Sequence, residues 1–163
     1  MKQLDDAARE LLSSRRHATL ATQNEDGSIH TTPVWDVFED DCFYVGTGSW
    51  SRKALNAAAR PTATIMVDIR KAGSERWLSA WGRVEILRGD ESRVINSRIL
   101  RRYLTDEAIA DPRIGPGFAA ADDITIRLTP GSWRSWSSSD VDQQFFGGVL
   151  GSAPERWFRP VKE

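Results

Sequence analysis

The chain has 163 residues, with 22 Lys and Arg against 23 Asp and Glu, and a formal net charge of −1 at pH 7. The length fits a single domain, which we predict over residues 1–163, and the near-zero charge argues against general attraction to nucleic acid or to an anionic membrane surface. Cys42 is the only cysteine, which excludes an internal disulfide framework, and the sequence has no long apolar run typical of a membrane span or an export signal. We therefore expect a cytoplasmic protein.

The first part of the chain predicts a helix followed by three strands. Apolar residues on one helical face indicate a helix over residues 3–13. Asp26 and Gly27 are a hairpin signal between the first two strands. Pro33 lies within the second strand and, because proline has no N–H to donate, it marks an edge or a bulge and leaves neighbouring backbone groups free for another molecule. The strands are predicted over residues 17–22, 29–38 and 42–47.

The second part alternates helices with longer strands. Asp90 is a candidate cap for a helix that runs to about Leu104, with Val94, Ile95, Ile99 and Leu100 on its apolar side. The segment 112–121 is expected to be a loop. The last strand is expected to break at residues 129–131, and the apolar residues after it are expected to pack on this domain or on a second copy. The remaining elements are a helix over 52–59 and strands over 62–69, 77–87 and 123–137.

This order of elements predicts the fold class. Short strands predominate, with one small helix between the third and fourth strands and a longer one between the fifth and sixth. The pattern favours a mainly β fold, a six-stranded antiparallel barrel decorated by helices, over a parallel sheet. The barrel is expected to occupy about residues 15–137, and residues 138–163 are expected to form a C-terminal extension.

The segment from Cys42 to Asn56 carries a candidate anion site. Gly46 and Gly48 permit a tight turn and a close approach to another molecule, and Ser49 or Ser51 is placed to cap the following helix. Arg52 and Lys53 then fall in the first turn of that helix, where cations are disfavoured by the helix dipole. Two cations beside hydroxyl and free N–H groups predict a bound phosphate, whereas solvated surface residues remain the alternative.

Two common nucleotide motifs are absent from this segment. It contains no G-x-x-x-x-G-K-[ST] sequence, and it lacks the third glycine of a dinucleotide fingerprint. No cluster of cysteine and histidine residues has the spacing of a metal site. We assign no catalytic side chain, and His17 and His30 are interpreted as structural because His17 opens a strand and His30 lies near a hairpin.

Four segments in combination resemble the flavin-reductase-like split barrels of the pyridoxamine 5′-phosphate oxidase family. The resemblance covers residues 15–88 closely and residues 123–136 more loosely. It implies the FMN-binding type of split barrel, a homodimer with two cofactors at the subunit interface. The S-R-K-x-x-N form is more similar to the branch that uses the deazaflavin coenzyme F420 than to the branch that uses FMN. The segments are HATLAT, DGSIHTTPVW, TGSWSRKALNAAARP and WGRVEIL.

The resemblance also implies cofactor-binding residues. Ser51, Arg52 and Lys53 would bind the cofactor phosphate, and Thr47 would lie between the phosphate and the ring. Trp81 and Trp133 are candidate ring or substrate contacts from the partner chain, with ordinary packing as an equal alternative. The residues that would line the ring are Thr32, Pro33, Val34 and Trp35.

Three functions follow from these observations. The first is an F420-dependent oxidoreductase that transfers a hydride to a small unsaturated substrate. The second is an FMN-dependent enzyme, either pyridoxamine phosphate oxidase-like or flavin-reducing. The third is a non-catalytic protein that binds a flavin, a deazaflavin or haem. Arginines on the helix that starts near Asp90 are interpreted as a solvated face, although they would also suit the polyglutamate tail of F420.

Overall fold

The computed structural model describes residues 4–160. Residue 3, where the first predicted helix begins, and the last three residues of the predicted extension lie outside this range. The strands are β1 (Ala18–Gln23), β2 (Ile29–Val34), β3 (Asp36–Glu39), β4 (Cys42–Thr47), β5 (Thr62–Ile69), β6 (Arg76–Leu87) and β7 (Ile124–Ser137). The helices are α1 (Asp6–Ser13), α2 (Arg52–Ala59), α3 (Gly89–Tyr103), α4 (Asp106–Ala110), α5 (Gly115–Ala121), α6 (Ser138–Phe146), α7 (Val149–Ser152) and α8 (Pro154–Trp157).

All seven of these strands form one antiparallel sheet in the order β2-β1-β5-β6-β7-β4-β3. The sheet curls around a core of alternating apolar residues, because successive side chains of a strand point to opposite faces. Leu20, Ile65, Phe43 and Ile126 are almost fully buried in this core. The prediction of an antiparallel barrel decorated by helices is confirmed, with seven strands instead of six.

The extra strand arises from the predicted strand over 29–38. This segment divides at Trp35 into β2 and β3, which form the two opposite edges of the sheet. Pro33 remains within β2 and pairs with Thr19 of β1, so the proline lies on an edge strand as its missing N–H predicts. The chain therefore crosses from one edge of the sheet to the other around Trp35.

The last strand does not break where the sequence suggested. β7 runs without interruption, and its pairing with β6 shifts by one residue, since Trp81 pairs with Ser132 but Gly82 pairs with Pro130. Gly131 is the extra residue of this β-bulge. A Cβ atom at Gly82 would collide with the Thr129 carbonyl, which explains the glycine by the close approach of the two strands.

Three predictions about helices are corrected by the structure. The segment expected to be a loop over 112–121 contains α5. Asp90 lies in the first turn of α3 rather than at its cap, which is Arg88 and makes no side-chain cap bond. Val94, expected on the apolar side, is 61% exposed because the helix packs through Ile95 and Ile99 instead.

The C-terminal extension forms three short helices with little core of its own. Asp142 is buried and its carboxylate accepts hydrogen bonds from the Leu150 and Gly151 N–H groups, which fastens α6 to the start of α7. Phe145 and Trp157 stay 66% and 46% exposed. None of the helices within residues 4–160 is both long enough and apolar enough to cross a membrane.

Candidate functional site

The start of α2 is organised by Ser51. Its hydroxyl accepts a hydrogen bond from the Ala54 N–H at 3.4 Å, so Ser51 rather than Ser49 is the N-cap. The same hydroxyl lies 3.0 Å from the hydroxyl of the buried Thr47 at the end of β4. The predicted phosphate residue Ser51 and the predicted linking residue Thr47 are therefore in direct contact.

Ser49 has a different role. Its N–H and its hydroxyl donate to the two carboxylate oxygens of Asp123 at 2.6 and 2.7 Å, and these bonds lower the pKa of Asp123. They tie the β4–α2 loop to the beginning of β7. The loop is thus held by residues more than seventy positions away in the sequence.

The two glycines of this loop are explained by contacts within the chain. A Cβ atom at Gly48 would lie 2.6 Å from Trp50 Nε1 and 3.0 Å from the Ala121 carbonyl oxygen. A Cβ atom at Gly46 would lie 3.0 Å from Asn96 Oδ1. Neither glycine has a positive φ. Close packing against α3 and α5 therefore accounts for both glycines, and their expected contact with another molecule stays a prediction.

Asn56 attaches α2 to the β1–β2 hairpin. This side chain is only 3% exposed, and its amide group donates to Thr22 Oγ1 at 3.2 Å and to Asn24 Oδ1 at 2.8 Å. Its oxygen accepts from Arg60 at 3.4 Å. These bonds fix α2 against the hairpin turn, so the Asn of the S-R-K-x-x-N motif is a positioning residue that sequence reasoning did not single out.

A small cleft of about 410 Å³ opens where α2 meets this turn. It is lined by Asn24, Glu25, Asp26, His30 and Arg52. Hydrogen bonds from Ser28 lower the pKa of the Asp26 carboxyl, with a smaller contribution from the positive charge of Arg52. Arg52 is exposed and makes no ion pair with any carboxylate among the described residues.

Lys53 does not line the small cleft. Its side chain is half-buried, and burial lowers the pKa of its ammonium group while the charge of Asp122 opposes that shift. Burial likewise raises the pKa of the Asp122 carboxyl against the attraction of Lys53. The two predicted phosphate cations thus differ in surroundings: Arg52 faces the hairpin turn and Lys53 faces the residues just before β7.

The predicted ring-lining residues lie on or just after β2. Val34 is buried in the core, whereas Thr32 is half-buried and Pro33 is exposed. Because β2 is an edge strand, one side of its backbone has no strand partner in the part of the chain that the structure describes. His30, at one end of β2, lines the small cleft, and Pro33 lies roughly 10 Å farther along the strand at about 3.3 Å per residue.

Trp35 is held in an aromatic stack. Its ring packs parallel to Tyr103 at a centroid distance of 5.0 Å and against Phe118 at 5.5 Å. Its Nε1–H donates to Nε2 of His17 at 3.1 Å. Trp35 is therefore fixed by α3 and α5, next to a second cleft of about 1600 Å³ whose lining includes His17, Pro33 and Tyr103.

Trp81 and Trp133 lie on opposite faces of the sheet. Trp133 pairs with Ala80 and packs in the core against Phe38 and Phe43. Trp81 is 52% exposed on the outer face. Both are distant in the strand register from β2, and the outer position of Trp81 leaves it available to another molecule.

Two arginines of α3 contact other elements of the chain, and a third pairs within the helix. Arg98 forms an ion pair with Glu39 at 3.1 Å, and Arg93 pairs with Asp90. Arg102 donates to the carbonyl oxygens at the end of α1, of which the Ser14 contact at 2.6 Å is the shortest. Arg93, Arg98 and Arg101 remain exposed, as expected of a solvated face, and only Arg102 is partly buried.

Comparisons with known proteins agree with this architecture. A family model described as pyridoxamine 5′-phosphate oxidase matches residues 4–137. A conserved hypothetical protein from Mycobacterium tuberculosis is 25% identical, with a TM-score of 0.67 over 85% of this chain and 88% of that chain. No curated protein sequence is significantly similar to the chain.

Two further solved structures share the fold at lower identity. An F420 reductase is 21% identical, with a TM-score of 0.64 over 80% of this chain and 98% of that chain. The haem storage protein HutZ from Vibrio cholerae is 17% identical, with a TM-score of 0.62 over 83% and 94%. Because the family model spans most of the sequence and the curled antiparallel sheet matches, the chain belongs to the pyridoxamine 5′-phosphate oxidase family.

Proposed function

We propose that this protein is an F420-dependent oxidoreductase that transfers a hydride between the reduced coenzyme and a small unsaturated substrate. The observation that carries the proposal is the exposed guanidinium of Arg52, which lines the small cleft at the start of α2 beside the free edge of β2. The S-R-K-x-x-N motif and the fold shared with an F420 reductase support the same choice.

The α2 side of the small cleft offers groups that suit a phosphate, whereas Glu25 and Asp26 line its hairpin side. The first N–H groups of a helix have no acceptor within the helix, and they attract anions. Arg52 adds an unpaired charge there, and the acidic Asp26 is engaged by Ser28 instead of by Arg52. Ser51 and Arg52 would hold the phosphate, and Lys53 would add a positive charge at the next helix position.

The edge strand β2 fits a flat ring. Its backbone presents unpaired groups along the residues that follow His30, and Pro33 offers an apolar surface without an N–H. A bound deazaflavin supplies the hydride chemistry, and the protein supplies position and electrostatics. Thr32, Pro33 and Val34 would orient the ring, and Trp35 would brace it through its stack on Tyr103.

We further propose that the protein is a homodimer through the outer face of the sheet. Trp81 and Trp136 are 52% and 41% exposed there, on the face opposite to the core residues Leu78 and Ala80. Each buried Å² of apolar surface contributes about 25 cal/mol, so two exposed indoles favour a partner.

Binding of F420 and of FMN, compared by fluorescence titration, tests the cofactor. We expect F420 to bind more tightly than FMN, and the Arg52→Ala/Lys53→Ala double variant to weaken F420 binding about a hundredfold, since charge-assisted hydrogen bonds contribute about 1.5–3 kcal/mol each. The control is Arg9→Ala/Arg113→Ala, which removes two cations outside both clefts. Unchanged affinity in the first double variant would refute the phosphate assignment.

The same titration separates the alternatives. Preference for FMN would identify an oxidase-like or flavin-reducing enzyme, which the family match also favours. Binding of haem alone would place the protein with the haem-binding relatives. Reduction of a substrate panel by F420-loaded protein then distinguishes an enzyme from a carrier.

The dimer is tested by sedimentation at micromolar concentration. We expect Trp81→Arg to shift the protein to the monomer, because it places a charge in the proposed interface. Val94→Arg, at a position 61% exposed on α3, is the control and should leave the dimer intact. A wild-type monomer would contradict a site shared between subunits.

A further inference from the structure

Basic side chains outnumber acidic ones around the second cleft of about 1600 Å³, which is called the larger cleft below. Asp68 Oδ2 accepts from Arg70 Nε at 2.6 Å, so these two charges satisfy each other. No carboxylate lies within ion-pair distance of Arg15, Arg16 or Lys71 among residues 4–160. Among residues 4–160, the cleft therefore presents three unpaired cations against one remaining carboxylate, that of Glu155. Its charged lining residues are Arg15, Arg16, Asp68, Arg70, Lys71 and Glu155.

The remaining walls of this cleft are apolar and partly aromatic. Pro33 and Ile69 lie on the barrel side, and Phe158 and Pro154 come from the C-terminal extension. Tyr103 adds a ring that is fixed by its stack on Trp35. The volume of about 1600 Å³ exceeds the usual range of about 300–1,000 Å³ for small-molecule sites, so an extended ligand has room.

The position of the cleft separates it from the phosphate site. His30 and Pro33 lie at different points of β2, and only Pro33 reaches the larger cleft. In F420 the phosphate stands between the ring and the glutamate tail. A coenzyme with its phosphate at Arg52 and its ring along β2 therefore directs the tail away from the larger cleft. Carboxylates bound by the three cations belong to another molecule.

We propose that the larger cleft is the substrate site and that it selects a conjugated, apolar substrate bearing carboxylate groups. Arg15, Arg16 and Lys71 bind the carboxylates, while Pro33, Tyr103 and Phe158 contact the conjugated body. This inference rests on the proposed function, because it names the substrate class for the same reaction. It also gives the C-terminal extension a role as one wall of the site.

Equilibrium dialysis against terephthalate and its neutral diamide tests the proposal without coenzyme. We expect terephthalate to bind at or below about 1 mM and the diamide about tenfold more weakly, because only the diacid pairs with the cations. The Arg15→Gln/Lys71→Gln double variant should weaken terephthalate binding about tenfold and leave diamide binding unchanged. Arg16 is left intact because its Nε donates to Ser14 at 3.1 Å.

A variant that removes a negative charge should have the opposite effect on terephthalate binding. Glu155→Gln removes the one carboxylate that lines the cleft without an ion pair among the described residues, so it should strengthen terephthalate binding about threefold. Arg9→Gln/Arg113→Gln is the control for net charge and should change nothing. Equal binding of diacid and diamide, no binding of either below about 1 mM, or an unaffected Arg15→Gln/Lys71→Gln variant would each overturn the proposal.

Titration of the same variants with F420 distinguishes this inference from the proposed function. We expect F420 affinity to change less than about twofold in Arg15→Gln/Lys71→Gln, because the two cations lie outside the coenzyme site. If this variant loses F420 and retains terephthalate, the cations serve the coenzyme tail and the inference is wrong. If wild type binds terephthalate selectively but no F420, the proposed function fails, and with it the assignment of the bound anion as the substrate of hydride transfer.

Discussion

The small cleft and the larger cleft are backed by different kinds of buried polar group. Behind the small cleft lies Asn56, an uncharged amide with three hydrogen-bond partners. Behind the larger cleft lies Asp36, a carboxyl group only 4% exposed that contacts Tyr103. The first support is the same at every pH, whereas the second titrates. The proposed phosphate site thus lies on a support that does not titrate, and the adjacent cleft lies on one that responds to pH.

The carboxyl of Asp36 has an unusual environment. Burial raises the pKa of Asp36 from 3.8 to about 6, against the opposing effects of the Tyr103 hydrogen bond and the charge of Arg102. The folded protein therefore binds more protons at this group than the unfolded chain does between about pH 4 and pH 6. Stability from this group is present below about pH 4 and falls as the pH rises through that window.

The substitution Asp36→Asn tests the pH-dependent stability that the buried carboxyl group contributes, and we expect the largest effect from it. Relative to wild type, the free energy of unfolding of the variant should rise by about 3 kcal/mol between about pH 4 and pH 7, because about two units of pKa shift no longer apply. Urea titrations at several pH values measure this. The control is Asp26→Asn in the small cleft, where the pKa is lowered and the pH dependence has the opposite sign. If the difference in unfolding free energy between variant and wild type does not change with pH, the raised pKa of Asp36 is refuted.

Asn56→Ala tests the support of the small cleft. The change leaves buried Thr22 without its amide donor and opens a small void, so we expect a loss of about 2 kcal/mol at all pH values. The same variant should weaken F420 binding, since α2 loses its attachment to the hairpin. Leu55→Ala, at a neighbouring position that is 51% exposed, is the control. Equal stability of the two variants would show that the amide network is not what holds α2.

The substitution Tyr103→Phe is expected to have the smallest effect. It acts on the same carboxyl group, that of Asp36, as the Asp36→Asn prediction. It removes the hydroxyl that donates to the Arg16 carbonyl at 2.6 Å while keeping the ring stacked on Trp35. We expect a loss of about 1 kcal/mol. Because the Tyr103 hydrogen bond lowers the pKa of Asp36, the pH window of stability should also move upward. Tyr44→Phe, a hydroxyl outside both clefts, should leave that window in place.

Much of the fold could be predicted because its signals are local. Aromatic and β-branched residues between turn signals predicted β4, and a near-continuous apolar run predicted β5. The Asp-Gly turn predicted the β1–β2 hairpin, and the serines before a helical run limited the cap of α2 to two candidates. Each of these depends on residues within a few positions of one another. The exposed position of Arg52 at the start of α2 follows from the same local reasoning.

The features that the sequence did not predict depend on contacts between distant segments of the chain. Gly46 and Gly48 suggested a ligand-binding turn, but the atoms that would meet a side chain there include Asn96 Oδ1 and the Ala121 carbonyl, which come from distant segments. Asp122, which faces Lys53, follows that lysine by sixty-nine positions, since 122 − 53 = 69. The division of β2 from β3 depends on the packing of Trp35 against Tyr103 and Phe118. Sequence periodicity carries no information about such partners.

The proline in β2 also bears on how the protein avoids self-association. An edge strand with free N–H and carbonyl groups is a template for another strand, and such pairing leads to aggregation. At Pro33 the ladder lacks a donor, so an incoming strand finds an interrupted edge. A flat ligand does not need a continuous ladder of backbone hydrogen bonds, so the donor that is missing at Pro33 does not weaken its binding. Replacing Pro33 with valine would therefore be expected to raise the aggregation rate of the protein even where its fold is unchanged.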